Sequence, residues 1–388
     1  MPYKTILFLD QYPGLSGGQR VLLNISLEFS RNGYRCIVAL PSKGPLSAEL
    51  EKNGIETVVL PIGYYSITRK NIFDFFSYIL RLPILIFLLL RLIKNKEINI
   101  VYANGARTFI WATVACRLKK LPLFWHVHSI FKNPTLIWSL LFFAKSNVVK
   151  KIFVVSKSAA WPLKNLKSKL EIMYNAISIP KSQEENNILK KEHPALDNYF
   201  LVGSIGILED WKNQKDLIMA AKYIEDSGFK NMAFFIIGDS LSVESSKQKY
   251  KNKLKKLTHI IGMENKIIFT GLRNDILRVL PSLNILVISS KTPDPCPLVS
   301  LEAASLGVPI ISTHFGGTKE MFIEDIEALF YKPEDYKVLA EKIISLAKNP
   351  SKLNSIAEAA RLKVINNHNI DIYLKKLTDI VEKETRGS

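Results

Sequence analysis

Two hydrophobic patterns alternate along the chain, short unbroken apolar runs and longer stretches with a helical period. Thr5-Ile6-Leu7-Phe8-Leu9 reads as a buried strand. Leu22, Ile25 and Phe29 then fall on one helical face, Asn32-Gly33 stops the helix, and Cys36-Ile37-Val38-Ala39-Leu40 is the next strand. The alternation continues to Ile179-Pro180, after which Lys181-Ser182-Gln183-Glu184-Glu185-Asn186-Asn187 is polar, unpatterned and expected to be a linker. A second series opens at Tyr199-Phe200-Leu201-Val202-Gly203 and runs through Tyr331, with Asn284–Ser289 and Val308–Ser312 as buried strands. Strands apolar on both faces and separated by helices predict parallel sheets covered on both sides. The expected fold is therefore α/β, with two Rossmann-like doubly wound domains, residues 1–179 and 180–369, facing each other across a central cleft. Residues 370–388 carry a last helix, Ile370–Lys383.

Composition narrows the class. A chain of 388 residues with 47% hydrophobic and 23% charged residues has ample material for two cores and is not disordered. Cys36, Cys116 and Cys296 are far apart and match no metal or redox spacing, which suggests a reducing compartment. The apolar start at Ile6–Leu9 is too short for a signal peptide. No Gly-x-Gly-x-x-Gly and no Gly-x4-Gly-Lys-Ser/Thr occurs, which argues against a dehydrogenase or an NTPase.

The net charge of +18 calls for an anionic partner. Basic residues are not interleaved with aromatics in a nucleic-acid module, so no nucleic acid is expected. Instead Arg69, Lys70, Arg81, Arg91, Lys94 and Lys96 surround the run Leu82–Leu90. A second group, Lys145, Lys150, Lys151, Lys157, Lys164, Lys167 and Lys169, follows Trp138-Ser139-Leu140-Leu141-Phe142-Phe143. Nine apolar residues are too few to span a bilayer, which takes about 20. They either form a buried helix of the first domain or lie in the interface of an anionic membrane.

The segment Ser290–Pro309 carries the sharpest chemistry. Asp294 and Glu302 flank a Pro-broken turn and the start of an apolar helix between two strands, where an open α/β sheet binds ligands. Its Asp-x7-Glu pattern resembles the Glu-x7-Glu signature of the retaining glycosyltransferases of family 4. The resemblance extends to Ser16-Gly17-Gly18-Gln19-Arg20, His126-Val127-His128, Val154-Val155-Ser156, Tyr174-Asn175-Ala176, Ser204–Gln214, Ile236-Ile237-Gly238-Asp239, Phe269-Thr270-Gly271 and Gly316–Glu320.

That resemblance implies the GT-B fold, with the last helix crossing back to the first domain. It implies a metal-independent, retaining hexosyltransferase without a cofactor, using a UDP-sugar or GDP-sugar donor. The acceptor would be lipid-linked or a surface polysaccharide, at the cytoplasmic face of the plasma membrane. Lys212 matches the diphosphate lysine of a Gly-Arg-Leu-x-x-x-Lys motif whose arginine is Ile207 here. Glu302 would take the ribose and Asp294 the donor sugar. The amides of Leu298 and Val299 would face the diphosphate, while Pro297, in place of a glycine, removes one N–H. Gly17 and Gly18 would let backbone approach the donor. His128 would orient the sugar, His126 would share its face, and Arg273 would replace the missing cation or contact the base. Two rivals stand beside this reading, a GT-B sugar-nucleotide epimerase and a non-enzymatic basic protein binding membrane or nucleic acid.

Overall fold

The computed structural model describes residues 4–63, 72–180, 187–240 and 248–386, with residues 72–75 by their backbone. Arg69 and Lys70, positions 181–186 of the expected linker and the final pair 387–388 lie outside the described residues. The chain divides into two compact units, Met1–Asn175 with Asp371–Ser388, and Ala176–Ile370.

Among the described residues the first unit holds a parallel sheet of β1 (Thr5–Asp10), β2 (Arg35–Leu40), β3 (Glu56–Val59), β4 (Ile98–Asn104), β5 (Leu123–Val127), β6 (Val149–Val154) and β7 (Leu170–Ile172), in the order β3-β2-β1-β4-β5-β6-β7. β1 is buried along its whole length, as a central strand covered on both faces must be. The strand order reverses between β1 and β4, so the loops leaving their carboxyl ends diverge and open a crevice there.

One face of this sheet is covered by the helices Ile72–Asn95, Ala106–Lys119 and Pro134–Ala144, whose inner residues share a core with β1, β4 and β5. The first of these is much longer than the apolar run Leu82–Leu90, because Arg81 and Arg91 continue a helix as readily as leucine does. The C-terminal helix Ile370–Thr385 buries Leu377 and Val381. It is tied to the first sheet by ion pairs from Lys376 to Glu171 at 2.7 Å and from Glu384 to Lys151 at 3.7 Å.

The second unit holds β8 (Phe200–Ile205), β9 (Met232–Ile237), β10 (Ile267–Gly271), β11 (Ile285–Ile288), β12 (Ile310–Thr313) and β13 (Leu329–Tyr331), all parallel, ordered β10-β9-β8-β11-β12-β13 among the described residues. Its order reverses between β8 and β11. Each unit therefore has one switch point, and Lys212 and Asp294 lie at that of the second unit while Arg273 follows the edge strand β10.

Candidate functional site

In the second unit the loops after β8 and β11 are locked to each other. Lys291 N donates to Trp211 O at 2.9 Å, and Ser289 Oγ donates to Lys212 O at 3.0 Å. Asn213 takes a left-handed conformation, φ 52°, and the turn lets Gln214 Nε2 donate to the Ile207 carbonyl at 3.0 Å. Lys212 Nζ lies 2.5 Å from Asp294 Oδ2 and 4.5 Å from the Trp211 ring centroid. Two residues assigned to different parts of a donor thus form one ion pair, with side-chain exposures of 16% and 15%.

Asp294 is positioned by glycines that sequence reasoning treated only as a landmark. A Cβ on Gly316 would lie 2.5 Å from Asp294 O, and one on Gly317 would lie 2.3 Å from Pro295 O. Only glycine lets the strand-end backbone after β12 press this close, and Gly317 N then donates to Asp294 O at 2.8 Å. Pro297 is the N-cap of the helix Leu298–Ser305, so Leu298 and Val299 supply its first N–H groups, while Ser300 N turns back to Pro297 O at 3.2 Å. Such free N–H groups at a helix start favour an anion. Glu302 stands half-buried on the same helix.

The first unit has its own polar cluster. Asp10 ends β1, Asn104 ends β4, and the two are paired across the sheet. Asp10 has no exposed surface, yet its carboxyl accepts from Asn104 Nδ2 at 2.5 Å, Tyr12 N at 2.8 Å, and Gln19 Nε2 at 2.9 and 3.1 Å. Burial outweighs these bonds and pushes the carboxyl up to about 6. Gln19 is oriented in turn by Ser16 Oγ, which donates to its Oε1. His128 follows β5, with Nε2 2.7 Å from Asn104 Oδ1. Burial lowers its imidazole to about 4, so it is neutral near pH 7. Gly17 and Gly18 form the first turn of the helix Gly17–Arg31, and a Cβ on Gly18 would lie 3.2 Å from His128 Cγ. The missing side chain of Gly18 makes room for that ring.

One expectation needs correction. His126 does share the face of His128, with ring centroids 4.0 Å apart, but it has no exposed surface. Its Nδ1 is 2.9 Å from Tyr102 Oη, and burial, followed by the His128 charge, holds its pKa well below the usual range. It lies behind His128 and not at a surface where substrate passes. Arg273, on the loop after β10, is paired with Glu192 at 2.7 and 3.0 Å and with Asp275 at 2.9 and 2.6 Å. Ser156 caps its own helix by accepting from Ala159 N at 3.1 Å. Among the described residues no group of three or more His, Cys, Asp or Glu is arranged to hold a metal ion. Sequence reasoning did not group Asp10, Asn104 and Gln19 with His128; for Asp10 and Asn104 the available signal was a polar residue closing an otherwise apolar strand.

The chain matches the family description Glycosyltransferase Family 4 over residues 15–179 and Glycosyl transferases group 1 over residues 185–363. It is 24% identical over 390 aligned residues to the UDP-Gal:alpha-D-GlcNAc-diphosphoundecaprenol alpha-1,3-galactosyltransferase of Escherichia coli, covering 97% of this chain and 96% of that protein. Among solved structures, Anabaena HepE in complex with UDP superposes with a TM-score of 0.84 at 21% identity, covering 98% of this chain and all of that one. A glycosyltransferase from Rickettsia africae superposes with a TM-score of 0.84 at 20% identity over the whole of both chains. The two parallel-sheet units have the GT-B fold, and the two family matches, which together span residues 15–363 apart from 180–184, make the protein a glycosyltransferase. Within that class the chain belongs to glycosyltransferase family 4.

Proposed function

We propose that the protein transfers a hexose, with retention of configuration and without a metal ion, from a UDP-sugar or GDP-sugar to a lipid-linked or surface-polysaccharide acceptor at the cytoplasmic membrane face. The observation that carries this reading is the contact of Lys212 with Asp294 at the switch point of the second sheet, 2.5 Å, beside the start of the helix that bears Glu302. Transfer leaves a nucleoside diphosphate, whose growing negative charge needs a cation and oriented N–H groups. Lys212 and the amides of Leu298 and Val299 supply them, and Glu302 accepts from the ribose hydroxyls. The name of the Escherichia coli relative contains both UDP-Gal and a diphosphoundecaprenol acceptor, and HepE has been crystallised with UDP-glucose, which supports the choice of donor and acceptor.

For the acceptor, the first unit adds a suitable surface. The helix Ile72–Asn95 presents Phe76, Leu80, Ile84 and Phe87 outward, at 56%, 76%, 54% and 63% exposure, while Leu85, Leu89 and Ile93 pack inward. An 18-residue window within Phe76–Asn95 has a mean hydropathy of 2.1, so the segment is long and apolar enough to cross a membrane by length and composition, yet its inner stripe is committed to the core. A helix divided in this way suits the plane of a bilayer interface.

The test is a thermal-shift and transfer assay with UDP, GDP and their sugars, with undecaprenyl-diphosphate glycans as acceptors. A donor at about 100 times its dissociation constant adds about 2.7 kcal/mol to stability. Lys212→Ala and Glu302→Ala should lose that gain and the transfer activity while remaining folded. EDTA should leave transfer unchanged, and the product anomer should match the donor. Turnover of the donor sugar to its epimer without any acceptor would replace this reading with an epimerase, and no nucleotide-sugar binding at all would favour a basic adaptor.

A further inference from the structure

The first unit contains a chain of hydrogen bonds whose direction is set at one end. Ionised, the Asp10 carboxylate only accepts, and three donors converge on it from Tyr12 N, Gln19 Nε2 and Asn104 Nδ2, the last at 2.5 Å. Because the Asn104 NH2 group donates to Asp10 at 2.5 Å and, more weakly, to Gly18 O at 3.4 Å, its Oδ1 faces His128 Nε2 at 2.7 Å. A carbonyl oxygen cannot donate, so the proton of a neutral imidazole must sit on Nε2. We infer that Asp10 and Asn104 are positioning residues that hold His128 in its Nε2–H tautomer and so present Nδ1 as a hydrogen-bond acceptor. Gln19 serves the same end, since a neutral amide there donates to both Asp10 oxygens and leaves the carboxylate no freedom to turn. Among the described residues Nδ1 forms no hydrogen bond, and its ring edge lies against Gly18, where a Cβ would come 3.5 Å from it.

This step rests on the proposed role of His128 toward a sugar. Under that role an acceptor nitrogen receives a hydrogen bond from a substrate hydroxyl and fixes its orientation, which a donor N–H at the same place would not do. The buried ring of His126, tilted 39° against it with centroids 4.0 Å apart and bonded to Tyr102, packs on the His128 imidazole and restricts its rotation. The arrangement matches a known device, in which an acceptor side chain selects a histidine tautomer for chemistry on its other nitrogen.

The experiment is two-bond 1H–15N correlation spectroscopy on the full chain with 15N-labelled histidine, with His128 assigned by its loss in His128→Gln. In the wild type Nε2 should be pyrrole-like and Nδ1 pyridine-like. Asp10→Asn is the decisive variant. The new amide must aim its oxygen at Tyr12 N and Gln19, so its NH2 faces Asn104, and Asn104 turns over to present its own NH2 to His128. The two nitrogens should then exchange character, although neither His128 nor its neighbours on the strand have been altered. If Asp10→Asn does not fold, Asn104→Leu serves instead, and loss of the single Nε2–H form is expected.

A wild-type spectrum with the proton on Nδ1, or an unchanged spectrum in the folded variants, overturns the inference. Transfer kinetics add a second readout. Asp10→Asn should lower kcat about 10- to 100-fold with nucleoside-diphosphate affinity unchanged, and should cost less than about twofold in a His128→Ala background. An equal loss in that background would mean that Asp10 acts on the fold and not through His128. If the tautomer exchanges as expected while His128→Ala transfers normally, the relay stands and the substrate role of His128 falls.

Discussion

At the scale of single residues, the placement of Lys212 against Asp294 changes what each is expected to do. A diphosphate approaching Lys212 meets the carboxylate already paired with it, at 2.5 Å and mostly out of solvent. Asp294→Asn keeps the shape and removes the competing charge. It should bind free UDP or GDP several-fold more tightly, since one neighbouring charge is worth about 1 kcal/mol or more in a partly buried place, while transfer falls because the sugar loses its partner. Calorimetric affinities equal to or weaker than those of the wild type would end that assignment.

Asp10 makes a second prediction, with a defined sign. Burial raises its carboxyl to about 6 in the folded protein from an ordinary value of 3.8, so its favourable contribution is full below about 3.8 and is lost as pH rises through about 6. Asp10→Asn removes this term, and between pH of about 4 and about 7 its stability should move in its favour relative to the wild type by on the order of 3 kcal/mol. His128 runs the other way, with a folded value of about 4 against 6.5, so its contribution is lost as pH falls and persists in the variant. Urea denaturation of both proteins at the two pH values measures the difference. Lys212, Asp294 and Glu302 were legible because they stand in spaced motifs. The pairing of Asp10 with Asn104, 94 positions apart, and the capture of Arg273 by Glu192, 81 positions away, were not, because a single sequence does not reveal long-range polar partners.

At the scale of elements, the parallel strands were readable for a physical reason. Buried on both faces, they show unbroken apolar runs, and β1 and β2 fall within a residue of where those runs lie. The helix Ile72–Asn95 was only half legible. Its residues 82–90 are apolar all round, so periodicity gave no orientation, and its arginines looked like boundaries when the helix passes through both. Even Pro83 lies inside it, on the exposed side. The structure separates the two faces and makes them separately testable. Leu89→Ala removes a fully buried side chain from the core of the first unit and should cost about 2 to 5 kcal/mol. Phe87→Gln alters a side chain that is 63% exposed and should shift stability by less than about 0.5 kcal/mol, yet weaken binding to lipid vesicles. Thermal unfolding and vesicle sedimentation of the two variants give the pair of results. If Phe87→Gln destabilises as much as Leu89→Ala, the outward stripe belongs to the fold and not to a membrane.

At the scale of the whole molecule, the surplus of +18 and the exposed apolar residues of the first unit point to the same partner. Trp138 and Phe142 stack with centroids 6.1 Å apart at 69% and 61% exposure, and Lys164 lies over the equally exposed Trp161 ring at 4.2 Å. Aromatic rings with cations beside them suit the headgroup level of a bilayer. Lys151 belongs to a different task, because it reaches Glu384 of the C-terminal helix, so the cations to test are Arg91, Lys94, Lys164 and Lys167, all solvent-exposed. The protein should sediment with vesicles rich in anionic lipid and much less with neutral ones. Salt near about 1 M, where the screening length falls to about 3 Å, should release it. Changing the four cations together to Gln should weaken binding by about two to three orders of magnitude, at about 1 kcal/mol per charge near the surface. Lys212 and Asp294 lie in the other unit, so the same variant should keep its nucleotide affinity. Sedimentation with neutral vesicles to the same extent, or no change in the four-fold variant, would make these cations a solvated face and shift the search for the acceptor to soluble glycans.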